Sequence, residues 1–397
     1  MRVARMPSDT LAPGSAGGSM VWQARPVETH RWHMSDSFRA GDHPGEPVDY
    51  LVLSSYPEYG SRNVGDKLIL ESFLRLLQQI KPYRSTSVQW RGDPIRAEDF
   101  KAIVMPGMAI RHRTWPDCYR MTDRLDSVAA PLIGVGVGSK RQETHIEDVR
   151  RYRLDAGSRQ LLERVFADSG TVACRDVATA FELSAAGLPT TLVGDCGMFN
   201  PDLIGSTPNR TDRLSSVAFT PPRRTELGRQ ALQVIGALQS TWPSTELVLF
   251  RHGIPNKTER WVERQSGLRV IDVSGNVEAL RRYRNIDVHI GYRVHAHLWR
   301  MRNRQPSVLI EEDSRGVGFN RTLGQIGVPS RMSVSRPVEM LRRIRHRSGG
   351  VSVSVPEAVQ DVLAAGLASG WECLDTAAAT IDWLYRHRMV PFIETMP

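Results

Sequence analysis

Between Ile286 and Leu323 the chain reads IDVHIGYRVHAHLWRMRNRQPSVLIEEDSRGVGFNRTL. In it Arg293 and His295 stand where a strand-like run hands over to a helical one. In open α/β sheets, ligands bind outside the carboxyl ends of the strands, where backbone N–H groups and the dipole of the next helix meet anions. A guanidinium and an imidazole at that position suit a phosphate or a carboxylate. Two residues apart on a helix, side chains diverge; two apart on extended backbone, they project to the same side. The pair can therefore share a ligand only if Arg293 still belongs to the strand end, a turn that Gly291 makes easy. His297, four residues after Arg293 on a helical count, competes for the role. The plainer reading is a surface or salt-bridged pair at an ordinary turn.

Other polar residues fall at comparable places. Arg175 and Asp176 end the run TVACRD directly before a helix, where Asp176 can cap and Arg175 would stand at the sheet's carboxyl edge or on the surface. Asp195, in TLVGDCGMF, closes the last strand of the first half. A carboxylate there can act as a base, bind sugar hydroxyls, or brace a hinge. Asn63, Gly65 and Asp66 open a helix whose N–H groups can meet a ligand, with glycine allowing close approach. The run GVGVG (134–138) lacks the spacing of a dinucleotide fingerprint. The sequence shows no Walker motif, nucleophile elbow, histidine cluster fit for a metal, or DxD pair. Cys118, Cys174, Cys196 and Cys373 have no metal-ligand spacing and read as reduced thiols, those at 174 and 196 in apolar surroundings.

The elements that must position these residues follow from periodicity. Strand signals at 48–54, 102–105, 131–137, 171–174 and 191–193 alternate with helical stretches at 68–80, 154–167 and 178–186, a β-α series and so a parallel sheet. A polar, proline-bearing stretch at 201–215 reads as a linker. A second series follows, with strands at 216–219, 247–250, 269–273, 288–291 and 307–310 and helices at 226–240, 277–284 and after Arg293. The reading is a tail over 1–46 (disordered or loosely attached), one Rossmann-like domain over 47–200, the linker, a second over 216–350 ending in the basic connector RRIRHRSGG (342–350), and amphipathic helices over 351–397. Across 397 residues, 41% hydrophobic and 24% charged composition is that of a globular protein. The expectation is a cytoplasmic protein, since no apolar run reaches membrane-spanning length and the N-terminus lacks a signal-peptide core. The formal charge of +9 is mostly arginine scattered along the chain. With no zinc-finger, RNA-recognition or helix-turn-helix pattern, it points away from nucleic acid and toward an anionic ligand, with a nearby acidic membrane as a further candidate.

From Tyr50 to Gly327 these segments together resemble the polysaccharide pyruvyl transferase family. The likeness takes in the N-x-G-D loop (Asn63, Gly65, Asp66), the strand-end R-D (Arg175, Asp176) and Asp195. Most specific is HIGYRVHAHLWRM, similar to a G-x-R-x-H-A signature, followed by Pro306, a strand, and Gly318–Phe319 before a helix. Where the family often has a lysine in the loop after that strand, this chain has Arg315. The helix after His295 is also unusually rich in bulky and basic residues (Trp299, Arg300, Arg302, Arg304). The resemblance implies a GT-B-like fold, two Rossmann-like domains facing a cleft with C-terminal helices packing back on the first. It implies transfer of the pyruvyl unit of phosphoenolpyruvate, a co-substrate, to a sugar or lipid-linked oligosaccharide of a polysaccharide or cell-envelope glycan, usually as a ketal with release of phosphate. On that reading no cofactor or metal is needed, Arg293, Arg175 and Arg315 clamp the donor, and His295 is general acid/base because its ordinary pKa lies near neutrality. Asp195, Asp66 and Asn63 face the acceptor, and contact with the inner face of the cell membrane would be peripheral. The alternatives are a GT-B-type glycosyltransferase using a nucleotide sugar and a non-catalytic glycan-binding relative.

Overall fold

The computed structural model describes residues 48–56, 62–95, 100–141, 153–325, 327–330 and 354–397. The tail expected over 1–46 and the basic connector at 342–350 lie outside them.

Runs of aliphatic residues form strands buried along their whole length, as parallel strands covered by helices on both faces must be. In the first half these are β1 (Tyr50–Ser54), β3 (Ala102–Pro106) and β5 (Leu132–Ser139). With β2 (Thr86–Trp90), β4 (Ala109–Ile110), β6 (Val172–Cys174) and β7 (Thr190–Leu192) they make a parallel sheet in the order β2-β1-β3-β5-β6-β7, with β4 paired to β5. Helices α1 (Val64–Ile80), α2 (Ala156–Ser169) and α3 (Val177–Ala185) accompany it. In the second half β8 (Ser216–Thr220), β9 (Glu246–Arg251), β10 (Arg269–Asp272), β11 (Val288–Gly291), β12 (Ser307–Glu311) and β13 (Val328–Pro329) form a parallel sheet in the order β10-β9-β8-β11-β12-β13. Its helices are α4 (Gly228–Thr241), α5 (Lys257–Ser266), α6 (Val294–Arg302) and α7 (Ser314–Leu323).

Strand order fixes where a ligand can sit. The second sheet has the doubly wound 3-2-1-4-5-6 order, which reverses between β8 and β11. The first reverses between β1 and β3. Side chains leaving the carboxyl ends at such switch points border a ready-made crevice. Here β11 leads to Arg293 and His295, and β1 leads by the loop through Asn63 to α1.

The two halves are bonded to each other across the crevice. The Val64 amide donates to the His252 carbonyl at 2.9 Å, and the Val177 amide to Thr322 Oγ1 at 3.0 Å. Ser314 and Arg141 exchange bonds, with Ser314 N to Arg141 O at 3.2 Å and Arg141 N to Ser314 Oγ at 3.0 Å. Three C-terminal helices close the architecture. α8 (Val355–Ala368) packs on α4, α9 (Cys373–Leu384) on α6 and α7, and α10 (Val390–Thr395) returns to α1. There Tyr50 Oη donates to the Pro397 carbonyl and Lys81 Nζ to the Met396 carbonyl. Two Rossmann-like sheets facing a cleft, with the last of the terminal helices packed back on the first, is the expected GT-B-like arrangement. No helix among the described residues is long and apolar enough to cross a membrane.

Several elements depart from the sequence reading. β2 and β4 were not expected. β2 is a half-buried strand at the sheet's edge with a polar sequence, and β4 is two residues long. α5 was missed because KTERWVERQS carries only Trp261 and Val262 as apolar residues, although Asn256 and Glu259 form a capping box at its start. The expected helix at 277–284 is a run of 3₁₀ turns, Glu278–Asn285. The basic residues around the end of α6 are internal braces. Arg300 is fully buried and donates to the carbonyls of Pro306, Tyr283, Ile286 and Asp287, and burial holds its pKa down to about 9. Arg302 reaches Ser72 Oγ of α1 at 2.8 Å, and Arg304 pairs with Asp382 of α9.

Two glycines with opposite surroundings test this packing. A β-carbon at Gly318 of α7 would overlap the Asp176 carboxylate that caps α3, whereas one at Gly236 of α4 meets nothing within 4 Å. Gly318→Ala should destabilise the protein by about 1–3 kcal/mol through overpacking. Gly236→Ala should stabilise it by up to about 1 kcal/mol through helix propensity. Urea unfolding of both variants beside the wild type checks the pair.

Candidate functional site

Arg293 is the residue on which convergence depends, and its backbone is extended (φ −89°, ψ 106°) as the N-cap of α6, which begins at Val294. The preceding Gly291 has φ +150° and lies so close to the backbone and hydroxyl of Thr220 that a β-carbon would collide with them. β11 can therefore turn tightly against β8, and the Arg293 amide donates to Thr220 Oγ1 at 3.2 Å. Arg293 and His295 consequently line the same small cavity, with Asn63, His252, Tyr292, Val294, Glu312 and Arg315. His297 is turned into the core, fully buried, with Nδ1 2.9 Å from Ser307 Oγ.

The cavity is bridged by both halves. A β-carbon at Gly65, in the first turn of α1, would overlap the His295 imidazole. The glycine of the N-x-G-D loop thus makes room for a side chain of the opposite domain. Asn63 caps α1 by accepting from the Gly65 amide at 3.2 Å, and its Nδ2 donates to Asp66 Oδ2 at 2.8 Å.

Each arginine expected in the clamp is held by a carboxylate. Arg293 Nη2 pairs with Glu259 of α5, whose other oxygen closes the capping box with the Asn256 amide. Arg315 pairs with Asp313 through Nε and Nη2; burial disfavours both charges, yet the pairing keeps the Asp313 carboxyl low and the Arg315 guanidinium high. Arg175 bonds to Asp176 at 3.2 Å and the Ser139 carbonyl at 2.9 Å, with its guanidinium over the Phe319 ring. Arg293 and Arg315 reach the cavity wall; Arg175, buried, does not. Gly318 and Phe319 are therefore packing residues, one admitting Asp176 and the other covering Arg175.

Asp195 and Asp66 are not among the walls either. Asp195 is fully enclosed and accepts from the Gly197 amide at 2.8 Å, while its Oδ2 has no hydrogen-bond partner among the described residues. Burial pushes its carboxyl up, and the enclosure leaves it as a hinge brace rather than a group facing an acceptor. Four wall residues were not singled out from sequence, His252, Tyr292, Val294 and Glu312. Glu312 Oε1 accepts from the Arg223 and Arg224 amides at 2.9 and 2.8 Å, and burial raises its carboxyl. The consecutive acids Glu311, Glu312 and Asp313 at a strand end were the available signal for Glu312. The N-x-x-E spacing at 256–259 was the available signal for Glu259. Among the described residues no three His, Cys, Asp or Glu side chains are grouped to hold a metal ion.

The expected pKa of His295 changes in this setting. Burial, and then the charges of Arg315, Arg175, His252 and Arg293, hold the imidazole well below its ordinary value. It is neutral at pH 7, and the same burial and charges make its protonated form costly.

No protein-family model matches the chain, and no curated protein does. Among solved structures, a UGT transferase from Siraitia grosvenorii in complex with UDP aligns with 11% identity and a TM-score of 0.46, covering 86% of this chain and 96% of its own. A putative UDP-N-acetylglucosamine 2-epimerase from Listeria monocytogenes gives 10%, 0.45, 84% and 91% on the same measures. MnaA of S. aureus with UDP gives 10%, 0.45, 77% and 89%.

Two outcomes follow from the electrostatics. In an NMR pH titration the His295 ring should stay neutral from pH 8 to 6, and Arg315→Gln, by removing the largest neighbouring charge, should move its protonation upward. The second concerns stability. His252 and His297 are held down to about 3, and His289 and His295 are also depressed, in each case first by burial. Below the unfolded value of about 6.5 the unfolded chain takes up protons that the folded chain refuses, so stability rises with pH there and is lost as pH falls toward 3. Each imidazole contributes up to about 1.4 kcal/mol per pH unit to that slope. Melting temperatures measured between pH 7 and 4 should fall steadily, and a flat profile would contradict neutral burial of the four rings.

Proposed function

We propose that this chain is a sugar-acting transferase that holds a phosphate-bearing donor at the cavity between its two sheets, and that the donor is phosphoenolpyruvate, whose pyruvyl group passes to hydroxyls of a glycan precursor. The observation that carries this reading is the convergence of Arg293, His295 and Arg315 on one cavity at two facing switch points. Two guanidinium groups on one wall suit a donor that carries two anionic groups.

The roles divide by charge state. The paired arginines present fixed N–H forks to phosphate and carboxylate, Arg293 through Nε and Nη1 and Arg315 through Nη1, with their carboxylate partners holding them in place. Ketal formation adds a proton to the enol methylene, forms two carbon–oxygen bonds, breaks the bond to phosphate, and removes a proton from each attacking hydroxyl. Among the wall residues, His295, neutral at pH 7, and Glu312, its carboxyl raised by burial, are the groups that can exchange protons with donor and acceptor.

A nucleotide-sugar donor is the second reading, favoured by one observation: the second sheet has the strand order of mononucleotide-binding halves, with its reversal at this cavity. The two are separated by ligand. Phosphoenolpyruvate should raise the melting temperature where UDP-sugars do not, and should release phosphate only when a lipid-linked sugar is added. His295→Ala should abolish that release while the variant stays folded. Stabilisation by UDP-sugars alone would replace this reading with the glycosyltransferase, and wild-type turnover by His295→Ala would remove the imidazole from the chemistry.

A further inference from the structure

A second cationic cluster adjoins the cavity on the first domain. β4 and β5 pair in parallel register, Ala109 with Gly138 and Ile110 with Ser139. The next residues, Arg111 and Lys140, therefore leave neighbouring strand ends side by side, with the Lys140 amide bonded to the Ile110 carbonyl at 3.0 Å. Arg141 then exchanges bonds with Ser314 at the start of α7, which brings Lys140 to the turn carrying Asp313 and Arg315. Among the described residues neither Arg111 nor Lys140 has a side-chain hydrogen bond or ion pair, and Arg111 Nε is buried without a partner. Asp313 is committed to Arg315. Lys140 is exposed and Arg111 half-buried, and like charges gathered beside Arg315 favour an anion there. The crowding is visible in Lys140, whose amine is pushed down to about 8, first by Arg315, then by desolvation and by Arg111, against the opposing pull of Asp313 and Asp66.

We propose that Lys140 and Arg111, with Arg315 across the crevice, form a phosphate subsite distinct from the Arg293–His295 cavity. Two sources have that chemistry: the phosphate brought by the donor, and a phosphate or diphosphate borne by the acceptor. The role in transfer rests on the function proposed above, but the binding does not, and it can be measured without turnover.

The probe is inorganic pyrophosphate, titrated calorimetrically into the full-length protein at low salt. Wild type should bind it. Lys140→Gln should weaken binding about tenfold or more, the loss of one charge-assisted contact, and Lys140→Arg should largely restore it. Arg111→Gln should weaken it similarly, and His295→Asn should leave it unchanged. Thermal melting confirms that each variant is folded. Competition by phosphoenolpyruvate assigns the subsite to the donor's phosphate; pyrophosphate binding that persists with saturating phosphoenolpyruvate assigns it to the acceptor. Absence of pyrophosphate binding in wild type, or equal binding by Lys140→Gln and wild type, overturns the subsite. Intact pyrophosphate binding in a protein that binds no phosphoenolpyruvate by calorimetry would instead leave the subsite standing and remove the pyruvyl reading.

Discussion

The seat of the His295 imidazole on Gly65 is the contact on which the site depends. A side chain from the second sheet's switch point occupies the space a β-carbon would take in the first turn of a helix from the first sheet. That fit needs both halves at close range, and the structure spends many bonds holding them there. The Val64–His252, Arg141–Ser314, Val177–Thr322 and Arg302–Ser72 contacts all cross the crevice. The imidazole that results is neutral, because burial and surrounding guanidinium groups make a further positive charge costly.

Carboxylates set the character of the cation site as much as arginines do. Glu259 holds Arg293, Asp313 holds Arg315, and Asp176 holds Arg175. A guanidinium bound on one edge loses little freedom when it meets a ligand with the other, which is the physical advantage of pre-organised forks. The same pairing explains why a chain of +9 formal charge need not present a strongly positive crevice. Many of its arginines serve as internal struts, and Arg300, bonded to four backbone carbonyls, does so without a carboxylate. Lys140 and Arg111 are set apart from this pattern by having no such partner among the described residues.

Most of the β-α order was legible in the sequence. Buried parallel strands appear as short aliphatic runs, and the 288–291 strand falls at Val288–Gly291 as read. What escaped were elements whose apolar signal is weak: the edge strand β2, the two-residue β4, and α5, which buries Thr258 and Glu259 along with Val262. The last omission mattered, since α5 carries the carboxylate that positions Arg293. At the site, strand-end placement was enough to single out Arg293 and His295, and the family resemblance added Arg315. The same reasoning also drew in Arg175 and Asp195, which are strand-end residues enclosed in the first domain.

The sequence by itself determined the two β-α halves and the turn that Gly291 allows before Arg293, because strand runs, helix caps and glycines act over a few residues. Tertiary structure alone decided the strand order, which strand-end groups face the crevice, that Glu259 holds Arg293 from 34 residues away, and that Gly65 is a seat for His295. The last of these depends on the approach of segments more than two hundred residues apart along the chain. Local pattern carries no record of such neighbours, and burial and charge at a site are set by neighbours.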